Sequence, residues 1–160
     1  MINVGVIGTG FGQKIHLPGL QHHPETEVVA VWNQDQAKAE AVAQQHQVPH
    51  AFNQLDQLLS LPDLDAVTIA TPPFLHYEMA KAALNAGKHI LLEKPMALNV
   101  GEVQELERLA RVQGLIAVAD FEFRFVPAWQ RCAELLRAGM VGKPRLIKMD
   151  WLVVSRADPS

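Results

Sequence analysis

The chain is poor in cysteine: Cys132 is the single one in 160 residues. With no internal partner it forms no intrachain disulfide, and the expected role is that of a small buried apolar residue. Charge of one sign is also scarce. Lys and Arg total 14 against 17 Asp and Glu, for a net charge of −3, and no basic cluster occurs. This excludes the electrostatic footprint of a nucleic-acid binder. No apolar run approaches the roughly 20 residues of a membrane span, and no secretory leader is recognisable. A soluble, cytoplasmic protein without membrane contact is expected. Repeats and low-complexity tracts are lacking. The histidines form no metal-ligand pattern, since His22 and His23 are adjacent and no Cys/His cluster exists, so no metal is expected.

What the sequence does have is apolar residues, 49% of the total, enough for one full domain with a real core. Val4, Val6 and Ile7 around Gly5 form a short uncharged run, the mark of a strand buried on both faces. Gly8-Thr9-Gly10-Phe11-Gly12 follows, and then a segment able to form a helix. A glycine turn between a buried strand and a helix N-terminus makes an anion site, because backbone N–H groups and the helix dipole converge on one spot. Gly8 permits the tight turn and Gly10 lets a pyrophosphate approach the backbone. The plain alternative is an ordinary tight turn. The dinucleotide fingerprint places its third glycine, which serves close helix–strand packing, at position 13. Here Gln13 stands there and Gly12 comes one place early, so the first helix is expected to be pushed slightly outward.

Strands and helices then alternate. The helix over Phe11 to His22 is bent or shortened by Pro18. Glu27 to Trp32 reads as the second strand, and Asp35 caps a helix running to about His46. Val48 to Phe52 is a minor third strand, and Asn53 caps a small helix with Leu55, Leu58 and Leu59 on one face. Asp65 to Ala70 is another buried strand, ended by Thr71-Pro72-Pro73. Leu75, Met79, Ala82 and Ala86 follow at helical spacing, with Gly87 as the stop. His89 to Leu92 is the next strand. Asn99 and Glu102 open a helix with Val103, Leu106 and Ala110 as its apolar stripe, ending at Gly114. Leu115 to Ala119 is a last parallel strand. This rhythm predicts an α/β fold, a doubly wound parallel sheet of the Rossmann type, over residues 1–121. Beyond it, Pro127 to Ala138 reads as a linker helix and Pro144 to Val154 as an antiparallel, half-buried strand. Residues 122–160 are thus expected to begin a second α/β domain that is incomplete here. Lacking partners, the Pro144 to Val154 strand is expected to be mobile or to pair with another copy.

Three places carry chemistry. In dinucleotide folds an acidic residue about 20 positions past the glycines takes the ribose 2′-hydroxyl. Asn33 occupies that place, and a neutral amide does not repel a 2′-phosphate. NADP is therefore favoured over NAD by a small margin, although no arginine stands nearby to clamp a phosphate. Lys38 reads as a solvated helix lysine. Thr71-Pro72 lies at the C-terminal end of a central strand, where open α/β sheets bind ligands. His76, in the first turn of the next helix, reads on its own as a surface or capping histidine. Glu93-Lys94-Pro95 also follows a buried strand. Its bland reading is a solvated pair before a loop. Its sharper reading is a lysine that hydrogen-bonds a substrate hydroxyl beside a nicotinamide, aimed by a cis proline.

VGVIGTGFG at the start, TPPFLHYEMAKAALNAGKHILLEKPMALN in the middle and FEFRFVPAWQRCAELLRAGMVGKP near the end together resemble the oxidoreductase family typified by glucose–fructose oxidoreductase, inositol 2-dehydrogenase and MocA. The resemblance implies a nucleotide-binding Rossmann domain followed by an α/β domain with a large open sheet. It implies oxidation or reduction of a carbonyl or hydroxyl on a sugar, cyclitol or related small molecule, with NADP or NAD. Gly8, Thr9, Gly10, Phe11, Gly12 and Gln13 would surround the pyrophosphate, with Asn33 at the adenosine ribose. Thr71, Pro72, Leu75 and His76 would line the diphosphate and nicotinamide-ribose region. Glu93 and Lys94 would sit near the nicotinamide, with Lys94 as catalytic residue. Arg124 would approach cofactor or substrate from the domain junction, or tie the domains together. The family's aspartate–histidine pair has no counterpart in these residues, so the chain alone is expected to bind nucleotide and turn over little. Any homo-oligomer would form through the absent sheet. A non-catalytic dinucleotide-binding sensor is the alternative, against which the Glu-Lys-Pro tripeptide argues.

Overall fold

The computed structural model describes residues 1–150. They fall in two compact units, Met1–Phe121 and a second that begins at Glu122. The first unit is a six-stranded sheet in the order β3-β2-β1-β4-β5-β6, with every adjacent pair parallel. The strands are β1 (Ile2–Ile7), β2 (Thr26–Trp32), β3 (His50–Phe52), β4 (Ala66–Ile69), β5 (His89–Leu92) and β6 (Ala117–Ala119). The helices between them are α1 (Leu17–His22), α2 (Gln36–His46), α3 (Leu55–Leu59), α4 (His76–Asn85) and α5 (Val100–Gln113). A π-helical turn, Gly12–His16, leads into α1, and a 3₁₀ turn, Pro73–Leu75, leads into α4. The Rossmann reading of the sequence is therefore right, and the order of strands reverses between β1 and β4.

The alternation of side chains sorts the core into two layers. Val6, Val28 and Val31 pack with Leu17 of α1 and with Val42 and Ala43 of α2 on one face. Ile7, Ala30, Val67, Ile69, Ile90 and Leu92 pack on the other face with Leu58, Leu59, Ala80, Ala83, Leu84, Leu106 and Ala110 from α3, α4 and α5. Neighbouring residues of one strand thus serve opposite layers, which is why residues 4–7 of β1 and 28–32 of β2 are apolar without interruption.

Local chemistry explains the helix ends. The Asp35 carboxylate accepts from the backbone N–H groups of Ala37 and Lys38 and opens α2. Asn99 Oδ1 accepts from Glu102 N at 3.0 Å, while the Glu102 carboxylate accepts from Asn99 Nδ2 and Leu98 N. The reciprocal bond thus reaches one residue farther back than in a simple capping box. Gly114, at φ 69°, closes α5.

Several expectations need correction. The small helix α3 starts after Gln54, not Asn53, and has no side-chain cap. In α4 the buried face is His76, Met79, Ala80, Ala83 and Leu84, rotated from the expected stripe, so that Ala86 is exposed. Three small alanines fit either stripe by size, and the sheet selects the one that carries Leu84. Gln13 does not push the first helix out, because Gly12 supplies the close approach. A Cβ on Gly12 would lie 3.1 Å from Val6 Cγ1 and 3.4 Å from Ala70 Cβ.

In the second unit, α6 spans Pro127–Arg137 after a 3₁₀ turn at Glu122–Phe125. Cys132 lies on α6 and is exposed, contrary to its expected burial, on a helix that buries none of its residues. Residues 144–150 form no strand, and Leu146, Ile147 and Met149 are exposed. Alternation alone does not make a strand where no ladder partner is present among the described residues. The rest of that expected strand, Trp151 to Val154, lies outside them.

Two outcomes follow from this packing. A Cβ on Gly8, whose φ is 104°, would meet the Ala70 carbonyl oxygen at 2.6 Å. Gly8→Ala should cost about 2–4 kcal/mol in a denaturant titration, from backbone strain and overlap together. Between α4 and α5, Tyr77 OH donates to Glu105 Oε2 at 2.8 Å and Lys81 Nζ lies 2.8 Å from Glu105 Oε1. These donors hold the Glu105 carboxyl below its ordinary value of 4.5, the hydrogen bond from Lys81 foremost. A depressed carboxyl stabilises the fold above its unfolded value and loses that contribution as pH falls through the folded one. Glu105→Gln should therefore narrow the stability difference between neutral and acidic pH, read from unfolding midpoints.

Candidate dinucleotide site

The parallel ladder continues one residue past each strand, and these residues begin the site. Gly8 N donates to Trp32 O, Asn33 N to Phe52 O, Ala70 N to Ile7 O, Glu93 N to Ile69 O, and Asp120 N to Leu92 O, at 2.8–3.1 Å. Their positions are fixed by sheet hydrogen bonds rather than by loop packing. All lie at the C-terminal edge of the sheet, and Gly8 and Ala70 flank the point where strand order reverses.

A cleft of about 460 Å³ opens at this edge, lined by residues that follow β1, β2 and β4. Gly8, Thr9 and Gly10 form one wall, Trp32, Asn33 and Gln34 a second, and Ala70, Thr71, Pro72, Phe74 and Leu75 the third. A Cβ on Gly10 would meet nothing within 4 Å, so the space over that backbone is open. The turn precedes the π-helical residues and α1, and the first N–H groups of a helix have no intrahelical acceptor. An anionic group fits that combination of open backbone and helix start. No Lys or Arg is among the residues lining the cleft. A diphosphate here would meet backbone dipoles rather than side-chain charges.

Asn33 is held on both sides. Its Oδ1 accepts from Asp35 N at 2.9 Å, which leaves its Nδ2 to donate to Thr9 Oγ1 at 2.5 Å. The first residue past β2 is thus joined directly to the glycine turn. Lys38 is exposed and lies 3.8 Å from Asp35 Oδ2.

Other residues singled out in the sequence fall elsewhere. Gln13 donates to Gln45 Oε1 at 3.2 Å and does not line the cleft. Phe11 is half exposed, with its ring edge-on to His16. His76 is not a surface residue. It is 1% exposed, with Nδ1 2.7 Å from Pro95 O and Nε2 2.7 Å from Thr71 O. It ties the loop after β4 to the loop after β5 and presents no atom to the cleft. The apolar stretch around it hid this, because a buried histidine is recognised only by its two carbonyl partners. The Lys94–Pro95 bond is cis. Glu93 is buried, while Lys94 is partly exposed beside a shallow depression with Pro95, Met96 and Phe121. Arg124 stands in the second unit, on its 3₁₀ turn.

The sequence reading missed Trp32, Gln34, Ala70 and Phe74 as lining residues. Their signal was positional, since Trp32 ends β2, Gln34 follows it, and Ala70 and Phe74 follow β4. Trp32 Nε1 is buried without a hydrogen-bond partner among the described residues. A second omission is a cluster that sequence spacing cannot reveal. His16, Glu93 and Asp120 each bring one donor atom to within 4.8 Å of the others. His46 and His50, four apart, make no comparable pair, because α2 ends between them at Gln47, whose φ is 56°.

Residues 2–121 match the model of an oxidoreductase family with an NAD-binding Rossmann fold. An uncharacterised oxidoreductase of Synechocystis is 56% identical over 99% of this chain and 43% of its own length. A D-xylose 1-dehydrogenase (NADP(+)) of Haloferax volcanii is 35% identical over 82% of this chain and 41% of its own. Among solved structures, a 3-ketoreductase from Actinomadura kijaniata in complex with NADP superposes with a TM-score of 0.83. It is 33% identical and matches over 89% of this chain and 45% of its own. The chain thus spans less than half the length of these relatives. With its parallel sheet, its glycine turn and its cleft at the strand reversal, the chain belongs to the glucose–fructose oxidoreductase, inositol dehydrogenase and MocA family of oxidoreductases.

Proposed function

We propose that the chain is the cofactor-binding portion of an NAD(P)-dependent oxidoreductase acting on a carbonyl or hydroxyl of a sugar, cyclitol or related small molecule. The observation that carries this reading is the open backbone of Gly8–Gly10 at the head of the cleft. The NADP in the 3-ketoreductase from Actinomadura kijaniata supports it.

In this reading the backbone from Gly8 to Gly12 holds the diphosphate, and Asn33 meets the adenosine ribose. Thr71, Pro72 and Leu75 bound the middle of the cofactor from the far wall, and His76 fixes that wall from behind. Glu93 and Lys94 serve the nicotinamide end. The bound nicotinamide supplies or accepts the hydride. Lys94 donates a hydrogen bond to the substrate oxygen and eases movement of its proton.

Cofactor choice turns on Asn33. A carboxylate there would face a 2′-phosphate, whereas the amide, oriented by Asp35 N and Thr9, offers an N–H. Calorimetric titration with NADP and NAD, each in both redox states, should show binding with NADP somewhat preferred. Asn33→Asp should weaken NADP by about tenfold or more while leaving NAD bound. Strong preference of the unaltered chain for NAD would overturn this reading of Asn33. Gly10→Ala, at a position with open space and no positive φ, should leave stability within about 0.5 kcal/mol yet reduce dinucleotide affinity. Unchanged affinity would argue against the glycine turn as the diphosphate seat.

A further inference from the structure

The face of the sheet that α1 covers changes character partway across. Over β1 and β2 it is apolar, with Val6, Val28 and Val31. Beyond β1 it is polar. Thr68 alternates with Val67 and Ile69, which face the opposite layer, and Glu93 alternates with Leu92 in the same way. Both are buried, Thr68 at 1% and Glu93 at 8% exposure. A buried carboxylate and hydroxyl on a sheet face are costly unless hydrogen-bonded.

One side chain meets that need. His16, the last residue of the π-helical turn, is itself 6% exposed. Its Nδ1 pairs with Thr68 Oγ1, and its Nε2 lies 3.0 Å from Glu93 Oε1 and 3.5 Å from Asp120 Oδ2. A carboxylate at Glu93 accepts from Nε2, and the Thr68 hydroxyl pairs with Nδ1. One imidazole therefore joins the glycine turn to β4 and to the residues that follow β5 and β6. The other oxygen of Glu93 turns to its neighbour. Oε2 accepts from Lys94 N at 3.1 Å and lies 4.0 Å from Lys94 Nζ. π-Helical turns are rare and concentrate at functional sites.

We propose that His16 is a positioning residue: it locks the Glu93 carboxylate, and through it sets Lys94 at the nicotinamide end of the bound dinucleotide. The inference rests on the dinucleotide reading above and adds a link from the diphosphate turn to the lysine. His16 touches neither cofactor nor substrate in this arrangement.

The test compares two ligands on the full-length protein. The reduced dinucleotide that binds more tightly, NADPH or NADH, reports the nicotinamide end through its affinity and its fluorescence. The matching ADP-ribose, with or without 2′-phosphate, has the diphosphate and no nicotinamide. His16→Leu should weaken the reduced dinucleotide by about tenfold and lower its bound fluorescence, because a charge-assisted hydrogen bond is lost. It should leave the ADP-ribose within about twofold. His16→Gln, whose amide nitrogen can donate to Glu93, should restore most of the difference. In a Lys94→Ala background His16→Leu should add nothing further. Equal weakening of both ligands, no weakening, or additive losses with Lys94→Ala would overturn the proposal. Should His16→Leu fail to fold by circular dichroism, Thr68→Val, which releases the other ring nitrogen, should give a smaller split in the same direction. A Thr68→Val protein with no split would also overturn it. If the unaltered protein binds the ADP-ribose but His16 variants show no split, only this inference falls. If it binds neither ligand, the dinucleotide reading falls and takes this one with it.

Discussion

The passage of the Gly8 backbone beside the Ala70 carbonyl is the contact on which the site depends. No side chain fits there, since even a Cβ would lie 2.6 Å from that oxygen. The approach brings the turn after β1 against the loop after β4, at the one place where the sheet changes direction. Gly12 repeats the close approach one helical step later, against Val6 and Ala70. The two contacts press the start of the first helix onto the sheet edge. Gly8, Thr9 and Gly10, just before that helix start, line the cleft. The diphosphate seat proposed above would thus depend on packing tolerances measured in tenths of an ångström.

The cleft itself carries little charge. Its lining includes no lysine or arginine, and its polar groups are backbone amides, Thr9, Asn33, Gln34 and Thr71. Ionisable groups are instead gathered a few residues away, behind β4, β5 and β6, where Glu93, Asp120, Lys94 and His16 meet. This separation suits a ligand that is anionic in the middle and reactive at one end. In the proposed reading, backbone dipoles that need no counter-charge would hold the middle, and the ionisable groups would stand at the reactive end.

Much of this was legible in the sequence, for identifiable reasons. Short uninterrupted runs such as Val28 to Trp32 and Ile90 to Leu92 fit strands covered on both faces, and the glycines after β1 mark the turn that follows. Asp35 and Asn99 announce helix starts because short polar side chains at those places satisfy open N–H groups. The errors came where periodicity had no single answer. The alanine-rich α4 permits two stripes of nearly equal hydrophobicity. Residues 144–150 alternate as a strand does, yet pairing is a property of two segments and cannot be read from one. Gly12 was legible as a glycine but not as the close-packing one, because that role depends on the π-helical turn that begins with it.

The histidines show the limit most clearly. His16 and His76 are both buried and both join loops from different strands, yet nothing in their local sequence separates them from the exposed His22 or His23. What gives each its role lies far away: Thr68, Glu93 and Asp120 for His16, Pro95 for His76. A histidine ring offers two nitrogens on opposite edges, so it can bridge groups that no backbone connects. In a parallel sheet the strand ends are brought together by topology and separated in sequence by 20 or so residues of crossover each. A bridging imidazole is therefore well suited to fix one strand end against another, and spacing along the chain cannot reveal it. The same geometry that makes the C-terminal edge a place for ligands makes its organising contacts long-range.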